Sequence, residues 1–154
     1  GRQDAVLGDA LVVDPDAEKL REVVSDREDL TRRLDHFLAE SESIIPEASK
    51  ALACGDLDGF GQIADESQHA AEDLLGNQVP QTSALARTAR ALGATGSTSF
   101  GAGFGGSVWA LVPTAEASEF ASAWLGQHRD EYPEEAARAI TMVTRPGPSA
   151  RRLD

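Results

Sequence analysis

The chain has 154 residues, 41% hydrophobic and 26% charged, enough to bury a core without disulfides or metal. That length fits one domain or part of a larger protein. Its formal net charge of −12 argues against a nucleic-acid or anionic-membrane surface, which would need clustered Lys and Arg. Cys54 is the single cysteine. It excludes an internal disulfide, suits a reducing cytoplasm and reads as a small buried hydrophobe. No apolar run reaches transmembrane length, and no signal-peptide pattern is visible. The first residue is Gly1 rather than Met, which reads as a fragment and not a native start.

In chain order, Ala5–Val13 is apolar and ends at Asp14-Pro15, so it reads as a short strand or hairpin edge. A short helix follows over Asp16–Val24. Ser25 or Asp26 can cap the next helix, with Glu28 and Asp29 in its first turn. Leu30, Leu34, Phe37, Leu38, Ile44, Ile45, Ala48 and Leu52 then recur at helical spacing. Pro46 lies inside that run and predicts a kink or a break. Gly55 closes the helix and Asp56 caps its successor, which carries Leu57, Phe60, Ile63, Ala64, Ala71, Leu74 and Leu75 on one stripe. Gly76 stands at the C′ position. Pro80 opens a further helix that Gly93 ends.

Next comes a window rich in glycine and free of charge, Gly93–Val112 (GATGSTSFGAGFGGSVWALV). Within it Ser107–Val112 is a strand, both faces of which are mostly apolar. Thr114 is the expected N-cap of a helix bearing Ala117, Phe120, Ala121, Trp124 and Leu125. Ala139–Thr144 reads as a last strand, and Arg145–Asp154, with two prolines, as a loose tail. The pattern predicts an α+β fold with helices on one face of a small antiparallel sheet.

Gly101-Ala102-Gly103-Phe104-Gly105-Gly106 matches GxGxxG by letter. A dinucleotide loop needs a helix after its glycines, and Val108–Val112 is a strand instead. The protein-kinase loop needs a lysine on a following strand, yet no lysine follows Lys50. A Walker loop fails for the same lack of lysine. What remains is either a tight strand-to-strand turn or a neutral main-chain cradle whose successive N–H groups receive a ligand.

The segment GAGFGG followed by SVWALV resembles the third conserved motif of the GHMP small-molecule kinases, in particular the galactokinase branch. Gly55-Asp56 with Phe60-Gly61, then Glu66-Ser67, Asp73 and Pro80, resemble that family's upstream pattern. The likeness spans about residues 28–145. Departures occur at Thr98-Ser99-Phe100, Gln68 and Gln81-Thr82-Ser83, where galactokinases carry Arg-Met-Thr, His and Glu-Leu-Asp. The resemblance implies a ferredoxin-like C-terminal domain over 26–145, preceded by a segment over 1–25 and followed by a flexible tail over 146–154.

It further implies phosphoryl transfer from ATP, with Mg, to a sugar hydroxyl in the intact cytoplasmic enzyme, of galactose or another sugar such as a uronic acid. The partner is an N-terminal kinase domain, since the ATP loop and catalytic aspartate are not in this sequence. This chain alone is expected to be inactive and to supply no catalytic residue and no metal ligand. Its loop would line the phosphate and sugar site with Gly101, Ala102, Gly103, Phe104, Gly105, Gly106, Ser107 and Ser99. Amides of Gly103–Gly106 are the expected donors, joined by the hydroxyls of Ser97, Thr98, Ser99 and Ser107.

Phe104 reads as an anchor packed on the core, and Trp109 and Trp124 as core or domain-interface residues. His36, His69 and His128 lack metal-ligand spacing. Glu66, His69 and Asp73 share a helix face and read as a solvated cluster, as do the acidic runs at 26–29 and 130–135. No GxSxG elbow supports a hydrolase. The alternative is a free-standing α+β binding or regulatory module that self-associates through its helices; for an isolated C-terminal domain the expectation is a homodimer through its exposed inter-domain surface.

Overall fold

A computed structural model describes residues 6–148. They form two compact units, one through Asn77 and one from Gln78 onward.

The first unit is helical. Helix α1 spans Leu7–Val13, α2 Glu18–Val24, α3 Glu28–Leu38, α4 Ile45–Cys54 and α5 Leu57–Ala70. Residues 6–13 therefore do not make the expected strand (Ala5 lies outside the described residues). Asp14 takes up the helix end instead, its N–H donating to the Ala10 carbonyl at 3.0 Å. Only Leu11 of α1 is buried. An apolar run this short lacks the periodicity to choose between strand and helix.

The irregularity expected at Pro46 takes the form of a change of helix type just upstream, with no non-helical residue between the segments. A π-helical segment, Ala39–Ile44, joins α3 to α4, and Pro46 sits in the first turn of α4. Proline has no N–H and its ring crowds the carbonyl four residues back. The wider π turn accommodates both defects just upstream. A second π segment, Ala71–Leu75, extends α5 to Gly76, whose N–H donates to the Ala71 carbonyl at 2.9 Å.

Several local signals act as expected. Gly55 adopts φ +72° and its N–H reaches the Ala51 and Leu52 carbonyls, while the Asp56 carboxylate accepts from the Gly59 N–H at 2.9 Å. The cap expected at Ser25 or Asp26 is absent. Arg27 is the N-cap of α3, with no side-chain cap bond. Ser25 Oγ donates to the Glu22 carbonyl at 2.8 Å, satisfying the end of α2 rather than the start of α3. Leu34, Ile44, Ala51, Gly61, Ala64 and Gln68 are buried in this unit. A polar tie crosses it: Ser67 Oγ donates to Glu40 Oε1 at 2.6 Å, and His36 Nε2 lies 3.9 Å from the same oxygen. Cys54 is exposed, contrary to the buried reading, because it occupies the last position of α4 beside the Gly55 turn.

The second unit contains α6 (Pro80–Ala91), β1 (Gly96–Phe100), β2 (Ser107–Leu111), α7 (Ala117–Glu131) and α8 (Pro133–Ala136). Small residues let α6 sit deep: Thr82, Ala84, Ala86, Thr88 and Ala89 are all buried. It packs on both strands, and α7 packs on α6. Trp124 Nε1 donates to the Leu85 carbonyl at 3.0 Å and Phe120 stacks at 5.6 Å from the Trp124 ring, so Trp124 is the core tie it was expected to be. The α+β class is therefore present, with helices on a small antiparallel sheet.

Two details differ. Glu116, not Thr114, is the N-cap of α7, again without a side-chain bond. Residues 139–144 form no strand. They run as irregular chain with Ile140 and Met142 exposed at 89% and 82%. β-Propensity expresses itself only where a neighbouring strand supplies partners. The described part of the tail, residues 145–148, is irregular and exposed.

Candidate functional site

The glycine-rich loop, residues 101–106, joins β1 to β2. The strands pair antiparallel, Gly96 against Leu111, Ser97 against Ala110, Thr98 against Trp109, Ser99 against Val108 and Phe100 against Ser107. The loop thus leaves and returns at one end of the hairpin, and its base is the Phe100–Ser107 pair.

Its backbone is unusual. Gly101 (φ +102°), Gly103 (+84°), Phe104 (+59°), Gly105 (+110°) and Gly106 (+100°) all lie at positive φ. Glycine adopts such angles freely, whereas an L-residue incurs about 1–2 kcal/mol in the left-handed region. That explains glycine at four of the positions and makes Phe104 the exception. Among the described residues, no backbone–backbone bond outside the regular elements is donated by the amides of residues 103–106. A Cβ added at Gly101, Gly105 or Gly106 would meet nothing within 4 Å. Glycine is needed there for conformation, then, and the backbone stands open.

The strands beneath are tightly held. Ser97 is 1% exposed, and its Oγ donates to the Trp109 carbonyl at 2.7 Å. Ser97 is consequently a staple within the hairpin and not a ligand hydroxyl. Thr98 Oγ1 donates to the neighbouring Ser99 carbonyl at 3.3 Å. Ser107 is exposed and Ser99 half-buried at the loop base.

Sequence reasoning missed Arg90. Its guanidinium donates to the Ala94 carbonyl at 2.5 Å and also to the Thr95 carbonyl, clamping the turn that carries the chain from α6 into β1. An arginine in the last turn of a helix, just before a terminating glycine, is the sequence signal for such a clamp.

Of the expected site residues, the structure brings Gly101, Ala102, Gly103, Phe104, Gly105, Gly106 and Ser107 together in one loop, with Ser99 at its base. Phe104 is not an anchor: it is 74% exposed, because its left-handed backbone turns it off the sheet end and not onto the core. None of these residues is ionisable, so the electrostatics of the site are those of peptide and hydroxyl dipoles. The other candidates are elsewhere. Glu66, His69 and Asp73 are exposed on the first unit, while His128 is buried in α7 at 5.5 Å from the Tyr132 ring. A shallow recess of about 360 Å³ lined by Leu92, Glu116, Glu119, Phe120 and Ala123 includes no loop residue. Among the described residues no His, Cys, Asp or Glu cluster could hold a metal ion, and no helix is long and apolar enough to cross a membrane.

The family described as GHMP kinases C terminal matches residues 46–130, from the start of α4 to near the end of α7. This chain belongs to that family. The GHMP match takes in the glycine loop, both strands, all but the first residue of α4, and α5 and α6 whole. Galactokinases of Mycobacterium bovis (strain BCG / Pasteur 1173P2) and Mycobacterium tuberculosis (strain ATCC 25177 / H37Ra) are each 33% identical to it over 90 residues, 58% of this chain. The chain spans 24% of the length of these relatives. The GHMP kinase resemblance read from the GAGFGG motif is therefore correct.

Proposed function

We propose that this chain is the C-terminal part of a galactokinase-like enzyme that transfers the γ-phosphoryl group of ATP, with Mg, to a sugar hydroxyl. In this reading the loop 101–106 lines the substrate site. The single observation that carries it is the run of positive-φ residues at 103–106 in the β1–β2 hairpin loop, with Phe104 and Gly106 exposed and Gly103 and Gly105 half-buried, inside the family match. Phosphoryl transfer relies on positioning and electrostatic stabilisation more than on covalent chemistry by the protein. The open amides of the loop and the Ser107 hydroxyl hydrogen-bond substrate oxygens, while Arg90 and Ser97 hold the hairpin in place. The nucleotide loop and catalytic carboxylate belong to an N-terminal kinase domain that completes the site.

The same reading takes residues 26–145 as the GHMP-type domain, 1–25 as a leading segment and 146–154 as a tail. A cytoplasmic location accords with the lone Cys54. Homodimerisation through the exposed inter-domain surface is the accompanying expectation.

The test is a product assay on the intact protein encoded by the source gene, with ATP, Mg and galactose or a uronic acid. Sugar phosphate should form, the present chain alone should give none, and Gly105→Val should lower kcat/KM by about a hundredfold. An intact protein that phosphorylates no sugar, or a Gly105→Val enzyme with full activity, overturns the proposal.

A further inference from the structure

Glu116, Glu119, Phe120 and Ala123 follow one another at i, i+3, i+4 and i+7, so they share one face at the start of α7. With Leu92, just past the end of α6, they line the shallow recess of about 360 Å³ in the second unit. Three of the five are apolar. Leu92 is 39% exposed, Phe120 half-buried and Ala123 exposed. The other two are exposed carboxylates.

These carboxylates have no cation of their own. From Ala91 to Gln127 they are the only ionisable side chains in the sequence. The nearest preceding cation, Arg90, is engaged with the Ala94 and Thr95 carbonyls. Among the described residues, Asp29, Asp35 and Glu131 each pair with an arginine, whereas neither Glu116 nor Glu119 makes a side-chain hydrogen bond or ion pair.

The mixed lining decides what can cover it. A wholly apolar occupant would bury two carboxylates without partners, at a large cost. A bare metal ion would gain nothing from Leu92, Phe120 and Ala123, and two carboxylates supply few of the oxygens it needs. An anion is repelled by the pair and by the net charge of −12. A cation with an apolar body satisfies both halves. Guanidinium suits the pair better than ammonium. Its planar fork carries donors enough for two carboxylates one helical turn apart, and its weakly hydrated face stacks on a ring such as that of Phe120. The recess is open, and its volume lies near the bottom of the range of about 300–1,000 Å³ for cavities that enclose a small ligand. It therefore seats one or two side chains of a larger partner.

We infer that this recess is a docking site for a partner polypeptide that carries an arginine beside a leucine-sized apolar residue. The guanidinium bonds Glu116 and Glu119 over the Phe120 ring, and the apolar side chain covers Leu92 and Ala123. The inference is independent of the phosphoryl-transfer reading, since no residue of the glycine loop takes part.

The test is a methyl-resolved NMR titration of the intact protein encoded by the source gene, ¹³C-labelled at Leu and Ala, reading the Leu92 and Ala123 methyls. The probes are acetyl-Leu-Arg-amide, the same peptide with lysine or uncharged citrulline in place of arginine, and argininamide. Acetyl-Leu-Arg-amide should shift both methyls. Lysine should weaken binding about threefold, and citrulline about tenfold. The double variant Glu116→Gln/Glu119→Gln should also weaken it about tenfold. Glu116 caps α7 without a side-chain bond, so this variant keeps the fold. A control with the same change of charge at exposed Glu22 and Glu42 of the first unit, Glu22→Gln/Glu42→Gln, should bind like the parent. That control separates a site from the general attraction of an acidic chain for cations.

The inference is overturned if acetyl-Leu-Arg-amide leaves both methyls unmoved, if the citrulline peptide binds as tightly, or if Glu116→Gln/Glu119→Gln binds like the parent. It is equally overturned if the Glu22/Glu42 control loses as much affinity, or if argininamide binds as tightly as the peptide, which would leave a site for a small cation only.

Discussion

Two groups of glycines in this protein look alike in the sequence and behave differently in the structure. Gly55 and Gly76 end helices of the first unit. Each sits at positive φ, and each N–H is bonded back to its helix, Gly55 to Ala51 and Leu52, Gly76 to Ala71. The hairpin glycines at 101, 103, 105 and 106 have positive φ as well, but the amides of residues 103–106 donate no such backbone bond. Positive φ by itself therefore marks only a turn. A run of positive-φ residues whose amides make no backbone bond marks a different situation, because such groups must be reached by water, a side chain or a ligand.

The largest effects should come from filling the open group. Gly106→Val places a β-branched residue at φ +100° and should destabilise the second unit by about 2–3 kcal/mol, read as a lowered midpoint in denaturant unfolding. A stability equal to the parent chain would show that the loop readily adopts other backbone angles, and the comparison would lose its basis.

Next in size is Ser97→Ala. It removes the bond from the buried Ser97 Oγ to the Trp109 carbonyl and should cost about 1–3 kcal/mol, with faster hydrogen exchange in β1 and β2. Gly55→Ala probes the closed group and should cost about 1 kcal/mol, confined to the first unit and without effect on the loop amides. Phe104→Gly inverts the sign: it relieves the positive-φ strain and removes little burial, so stability should hold or rise by up to about 1 kcal/mol. A clear loss would mean that the exposed ring contributes to the fold.

The smallest effect concerns pH. Hydrogen bonding from the Arg27 guanidinium holds the Asp29 carboxyl below its ordinary value. A depressed carboxyl stabilises the fold above its unfolded pKa, and that stabilisation disappears as pH falls through the folded one. Asp29→Asn should thus lower the melting temperature slightly near neutrality, and the difference from the parent chain should vanish in strong acid. Both groups are exposed, so solvent screening keeps the effect small.

Much of the candidate site was legible because its signals are local. GAGFGG between a short strand and SVWALV required positive φ, and the absence of a following helix excluded the phosphate loops that letter-matching suggests. Arg90 and Ser97 were not legible as supports. The first acts on carbonyls beyond a turn, the second on a carbonyl across the hairpin, and neither partner carries a side-chain signature.

By itself the sequence determined where helices stop and start at Gly55, Asp56, Gly76, Pro80 and Gly93, because chirality, a missing N–H and a capping carboxylate act within a few residues. Tertiary structure decided what depends on distant partners. Residues 7–13 became helix, a π turn absorbed Pro46, and 139–144 stayed irregular for want of a neighbouring strand. Phe104 was left facing outward. Backbone sterics are written residue by residue, whereas burial is settled only by what else arrives at the same place.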